Sequence, residues 1–356
     1  MDHVHRVAAR SRAIHSLTGS LLALAFTLDA CTADRGFSVS VTPPASSATS
    51  PSPIASESPA QEITNLQGKI LFTRAGGRYG DETVYTANAD GSHERRITGF
   101  GKTCCPRWSP DGSHISFAAQ APDGRYTTGI VNPDGSNLRT IPLPPGSLNL
   151  GCAQAQSIVT GRVACEGWSD QETGMQGLYT VRSSDGGDLV RVTHCSPAQD
   201  DRPMDFSPDG SQIYFLRGSG DPLSGRIFVV DIDGRNLHPV TPDDLPVDVV
   251  GNAGGRLSLD GEWIVFTSAG VVWKIRSDGS ELTEVFEDPG ERVAITPTWS
   301  PNGRLILLGL DPFGSIAIVE AAPPNDLYVM RADGSDLTRL PFTNEWKREP
   351  DWVAGS

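Results

Sequence analysis

Beyond residue 30 the sequence lacks any sustained 3.6-residue apolar period, so helices are expected to be few. Several chemistries lack their signatures. There is no Gly-x-Ser-x-Gly elbow, no His-Glu-x-x-His, no glycine-rich phosphate loop ending in Lys-Ser/Thr and no Gly-x-Gly-x-x-Gly. Cys-x-x-Cys spacing is also missing, which leaves a thiolate metal site without support, and neither a metal nor a cofactor is expected. Histidine is scarce: His3, His5 and His15 fall in the leader, leaving His93, His114, His194 and His238. His93 and His114 follow tight turns and His238 sits near a strand end, where an imidazole is ordinarily solvated. Only His194 is near a plausible site. Basic residues are in deficit, 29 against 43 acidic, for a net charge of −14. That balance argues against nucleic acid or an anionic bilayer surface as partner of the folded part.

Turns are abundant, with 38 glycines and 27 prolines. One turn phrase returns about every fifty residues: Asp90-Gly91, Asp134-Gly135, Asp185-Gly186, Asp233-Gly234, Asp278-Gly279 and Asp333-Gly334. A second alternates with it: Trp108-Ser109-Pro110-Asp111-Gly112, Phe206-Ser207-Pro208-Asp209-Gly210, Leu257-Ser258-Leu259-Asp260-Gly261 and Trp299-Ser300-Pro301-Asn302-Gly303. Proline presets the first corner of a type I turn, Asp or Asn suits the second, and glycine takes the left-handed position that follows. Each second phrase leads into a β-rich run such as Ile213-Tyr214-Phe215. Self-similarity at this period implies a stacked or closed array. Six units of four short strands predict an all-β fold, a six-bladed β-propeller.

The closure is also legible. Pro106-Arg107-Trp108, Pro203-Met204-Asp205-Phe206 and Pro297-Thr298-Trp299 precede complete turns, but Pro350-Asp351-Trp352-Val353 stands without its turn or partner strand. The first unit opens at Gly68 and Lys69-Ile70-Leu71-Phe72 with the preceding strand missing. The final strand is therefore expected to close blade one, satisfying sheet edges that would otherwise stay unpaired. Blade three is degenerate, with Thr160-Gly161 in place of Pro-Asp-Gly and Ser157 in place of the aromatic.

Residues 1–30 have a basic start (Arg6, Arg10, Arg12) and an apolar stretch from Leu17 to Leu28, the layout of a secretory signal. Leu28-Asp29-Ala30-Cys31 resembles a bacterial lipobox, which implies lipidation at Cys31. Asp29 departs from the small or apolar residue usual there, and an ordinary signal peptide cut near Ala30 is the alternative. Residues 31–62 read as a Ser/Pro/Ala/Thr-rich tether, and 63–356 as the propeller. Cysteine usage suits an exported protein. Aligned on the repeat, Cys104, Cys105, Cys152 and Cys195 fall in or near loops leading into blades two to four. A disulfide from Cys152 to Cys104, Cys105 or Cys195 is expected, with Cys165 buried and reduced.

Ser-Pro-Asp-Gly before Ile-x-Phe, then an apolar strand and Asp-Gly, then Arg-x-Thr, resembles the propeller repeat of the TolB family, over roughly residues 63 to 356. Related repeats occur in propeller domains of some peptidases and oligogalacturonate lyases. The resemblance implies a binding protein of the cell envelope. The α/β domain that precedes such propellers, and the hydrolase domain that follows in the peptidases, have no counterpart here, so those specific roles do not carry over. The expectation is a lipid-anchored, extracytoplasmic monomer of a Gram-positive type of envelope. It would bind a protein or peptide at the channel mouth through Asp200, Asp201, Arg202, Glu291, Arg292, Lys347, Arg348 and Glu349. A propeller enzyme acting on polysaccharide or lactone substrates is the alternative; it needs His, Arg or carboxylates converging on the channel.

Overall fold

The computed structural model describes residues 63, 65–75, 82–98, 104–121, 123–196, 199–218, 224–243, 245, 249–250, 255–290, 292–311, 326–342 and 347–355. The signal segment, the tether, Cys31, Glu291 and Trp346 lie outside them.

Among the described residues every regular element is a strand. Blade one contains β1 (Lys69–Ala75), β2 (Glu82–Asn88) and β3 (Arg95–Arg96). Blade two is β4 (Cys104–Trp108), β5 (Ile115–Gln120), β6 (Tyr126–Val131) and β7 (Arg139–Thr140). Blade three is β8 (Asn149–Ser157), β9 (Arg162–Trp168), β10 (Gly177–Arg182) and β11 (Val190–Arg191). Blade four is β12 (Asp201–Phe206), β13 (Gln212–Gly218), β14 (Ser224–Asp231) and β15 (His238–Pro239). After β16 (Val249–Val250), blade five holds β17 (Arg256–Leu257), β18 (Trp263–Ser268), β19 (Val271–Arg276) and β20 (Thr283–Phe286). Blade six is β21 (Val293–Trp299), β22 (Leu305–Asp311), β23 (Asp326–Arg331) and β24 (Thr338–Arg339). Last, β25 (Lys347–Val353) pairs antiparallel with β1, Ile70 facing Trp352, and completes blade one as its innermost strand.

Strand alternation sends successive side chains to opposite faces, so every blade shares an apolar layer with each neighbour. On β1, Ile70 and Phe72 pack with Leu305, Leu307 and Val329 of blade six, while Leu71 packs with Trp108, Ile115 and Phe117 of blade two. On β14, Val229 joins Ile264 and Phe266 of blade five, and Val230 joins Ala155 and Ala164 of blade three. The layers between blades two and three (Ile130 with Val163) and between five and six (Val265 with Ile306) close the six-bladed ring. Among the described residues two junctions also share backbone hydrogen bonds. Between blades five and six the Ala294 amide donates to the Gly270 carbonyl at 3.1 Å. Strand β16 pairs with Ser224–Gly225 of β14 and with Thr267–Ser268 of β18, joining blades four and five in one nine-stranded sheet.

The turn chemistry follows the sequence. Asp90, Asp134, Asp278 and Asp333 each accept the backbone N–H two residues on, and so does Asp209 of the Ser-Pro-Asp-Gly type. Hydrogen bonds from Ser207 and from the Ser211 amide and hydroxyl pull the Asp209 carboxyl down to about 2. These aspartates cap their own turns. Gly68, which opens β1, has φ of 97°, and a Cβ there would sit 2.3 Å from the Val353 carbonyl. Only glycine lets the closing strand approach this closely.

Candidate functional site in the channel

The innermost strands share a defect that builds the channel wall. Register breaks between Cys104 and Arg107, Gly151 and Ala155, Pro203 and Asp205, and Ile295 and Thr298 mark β-bulges, and a fifth lies on β25, where Glu349 and Pro350 stand opposite Phe72 of β1. In three blades the bulge places a residue with positive φ directly before proline: Cys105 (61°), Thr296 (45°) and Glu349 (52°). A non-glycine residue is strained there, and a following proline narrows its choices further. Bulges re-aim the residues that follow them.

Just before the aromatic position of each unit stands a polar residue: Asp351, Arg107, Gln156, Asp205, Arg256 and Thr298, one from each of the six blades. Four of them meet. Arg256 pairs with Asp205 at 3.1 Å and with Asp351 at 2.6 Å. Asp351 also accepts the Trp108 amide at 2.8 Å and the Thr298 hydroxyl at 3.4 Å. Asp205 accepts the Leu257 amide at 2.9 Å. One bulge contacts the next: the Cys105 amide donates to Glu349 at 2.6 Å. Gln156 turns toward blade two, donating to Ser116 at 2.6 Å and accepting from His114 Nε2. Burial holds the Asp205 carboxyl above its usual range against the pull of Arg256 and Arg107.

Arg107 differs from the rest. It is 6% exposed, and among the described residues its guanidinium has no hydrogen-bond or ion-pair partner. Burial, then the positive field of Arg256, push it down to about 10, opposed by Asp351, Asp205 and Glu349. Those neighbours come from blades one, four and five, so the side chain of this blade-two residue reaches the axis.

The residues expected at the mouth are mostly engaged. Asp201 is fully buried, held by Arg217 through two bonds of 2.7 Å and by the Thr193 hydroxyl. Asp200 pairs with Arg202 at 3.2 Å. Arg292 is gripped by Asp288 and Tyr328. Lys347 is fully buried near the Phe342 ring, Arg348 is half-buried on β25, and Glu349 turns to the Cys105 bulge. Glu291 lies outside the described residues. Beside Asp200, burial and that carboxylate push Glu166 up to about 7.

Cys104, Cys105 and Cys152 stand on the innermost strands themselves, and Cys195 in the loop before β12. The expected links to Cys105 or Cys195 are not made: neither is disulfide-bonded. Burial, then Asp201, push the Cys195 thiol up to about 12, which keeps it protonated and inert. The side chains of Cys104 and Cys152 lie outside the described set. Cys165 is buried on β9 and, contrary to expectation, is not a free thiol. Among the described residues no three His, Cys, Asp or Glu side chains converge to hold a metal ion.

No protein-family model matches the sequence, and no curated protein matches it. Solved structures do. TolB from Acinetobacter baumannii superposes with a TM-score of 0.60 at 19% identity, over 80% of this chain and 66% of that one. A putative TolB from Agrobacterium tumefaciens gives 0.52 at 16%, over 81% and 98%. An oligogalacturonate lyase in complex with manganese gives 0.52 at 14%, over 76% and 73%. This chain thus spans just under two thirds of the length of the first. At these identities the likeness is one of fold, and the fold is that of the TolB-like propellers.

Proposed function

We propose that the chain is an exported lipoprotein, anchored through Cys31 on the extracytoplasmic face. Its propeller serves as a non-catalytic scaffold for a protein or peptide of the cell envelope. One observation carries this reading: polar side chains of four blades, Asp351, Asp205, Arg256 and Thr298, meet across the inner strands, and beside them Arg107 is buried with no hydrogen-bond or ion-pair partner among the described residues. A bulged, charged bore without a converging nucleophile, base and metal set among the described residues suits binding better than bond cleavage. The TolB likeness supports it at the level of fold.

The test is affinity capture from envelope extract with the full-length protein as bait, beside an Arg256→Ala, Asp351→Ala bait. A protein retained by the native ring and lost from the altered one supports the scaffold. Retention of nothing above blank resin rejects it. Anchoring is tested separately. Cys31→Ser is expected to move the protein from the membrane fraction to the soluble one, and continued membrane partition would reject lipidation.

One observation favours the enzyme reading: Glu166, at about 7, has the protonation behaviour of a general acid. Turnover of polygalacturonate or a lactone that disappears in Glu166→Gln would replace the scaffold with that activity.

A further inference from the structure

A buried guanidinium with no partner is a costly thing to keep. Burying an ion demands compensation by charge and by hydrogen bonds directed at each donor. Arg256 shows what compensation looks like in this channel: two carboxylates engage its terminal nitrogens. Arg107, at the equivalent position of blade two, has none of that among the described residues, although it is equally buried. Its nearest carboxylates are committed elsewhere. Asp351 serves Arg256, Thr298 and the Trp108 amide; Asp205 serves Arg256 and the Leu257 amide; Glu349 accepts the Cys105 amide. The Nε atoms of both Arg107 and Arg256 are buried without a hydrogen-bond acceptor.

We infer that the channel waist is an anion subsite in which Arg107 receives a carboxylate carried by the ligand. The inference deepens the scaffold reading and rests on it for the ligand being a peptide, though the subsite itself stands on the geometry alone. A guanidinium presents parallel N–H donors that match the two oxygens of a carboxylate or a phosphate. The surroundings choose between them. Asp351, Asp205 and Glu349 all act electrostatically on Arg107, so a doubly charged phosphate would enter against three negative groups, while a singly charged carboxylate meets half that repulsion. Such a group comes either from an aspartate or glutamate side chain of a peptide or from a small free acid.

The experiment uses the folded full-length protein at constant ionic strength, titrated calorimetrically with three probes. These are sodium acetate, the blocked tripeptide acetyl-Gly-Asp-Gly-amide, and its asparagine analogue. Binding of acetate and of the aspartyl peptide, with the asparagine peptide at least tenfold weaker, is expected. An aspartyl peptide binding at least tenfold tighter than acetate identifies a peptide source, and equal affinities identify a small acid. Arg107→Gln is expected to weaken acetate at least tenfold. Because no direct hydrogen bond or ion pair offsets the burial of the native charge among the described residues, Arg107→Met is expected to leave the melting temperature of the acetate-free protein unchanged or raised by a few degrees. Absence of acetate binding, equal binding by Arg107→Gln, or a fall in melting temperature or failure to fold in Arg107→Met would each overturn the subsite. None of these outcomes touches the capture experiment, where a partner held by the rim alone would still be retained.

Discussion

Asp351 and Arg256 meet at 2.6 Å across the channel, tying the closing strand of blade one to the inner strand of blade five. Through its other bonds the same carboxylate reaches blades two and six. Loss of one partner of a buried pair strands the other charge, typically at about 3–5 kcal/mol. Arg256 retains Asp205, so Asp351→Ala is expected at the lower end, about 3 kcal/mol, and Asp351→Asn at less. Urea unfolding measures this; a change under about 1 kcal/mol would mean the clasp rests on backbone pairing alone.

Trp352 is the apolar half of the same clasp. It is 7% exposed, packs with Ile70, Phe72 and Leu305, and its indole N–H donates to the Gln67 carbonyl at 2.9 Å. Trp352→Ala removes packing and leaves an acceptor unused, an expected loss of about 3–5 kcal/mol. Hydrogen exchange should then quicken at residues 69–72 before it does in blade four. Uniform acceleration around the ring would contradict that order.

Glu166 gives the fold a pH dependence. Its folded value, about 7, lies above the value of 4.5 expected for a free glutamate, because burial and Asp200 disfavour the charged form. A raised carboxyl contributes stability that is complete below the unfolded pKa and lost as pH rises through the folded one. The native protein is therefore expected to lose up to roughly 3 kcal/mol between about pH 4.5 and pH 7.5 from this group. Glu166→Gln should flatten that part of the profile and be the more stable protein at pH 8. A parallel profile in the variant would show that another group titrates.

The cysteines make a covalent prediction. On β8 and β9, Gly151 faces Glu166 and Ala155 faces Ala164, so the bulge residues 152–154 stand opposite Cys165. Non-reducing peptide mapping is expected to recover a Cys152–Cys165 cross-link, with Cys105 and Cys195 alkylated and outside any cross-link. Alkylation of Cys165 in the folded, unreduced protein would refute it.

The turns made the ring legible. Ser-Pro-Asp-Gly and Asp-Gly mark where strands reverse because only a few residue types tolerate those angles, and Pro350-Asp351-Trp352 without its turn exposed the clasp. The charged loops drew attention away from the channel. There the six residues before the aromatic position are of four types, since Asp351, Asp205, Arg256 and Thr298 are matched to one another and Gln156 to blade two rather than to their counterparts in the next unit. Arg107, Thr298 and Asp351 lie between the proline and the aromatic of a phrase plainly visible in the sequence, but nothing local marks them as facing one another. Strand β16 was invisible for a similar reason: two valines pairing across two blades leave no periodic trace.

That short strand has a mechanical consequence. Among the described residues, four of the junctions around the circumference are held by side-chain layers and side-chain hydrogen bonds, one bond from Ala294 to Gly270 links blades five and six, and backbone pairing through Val249–Val250 rivets blades four and five. Any widening of the bore to admit a guest therefore has to be taken up away from the junction of blades four and five.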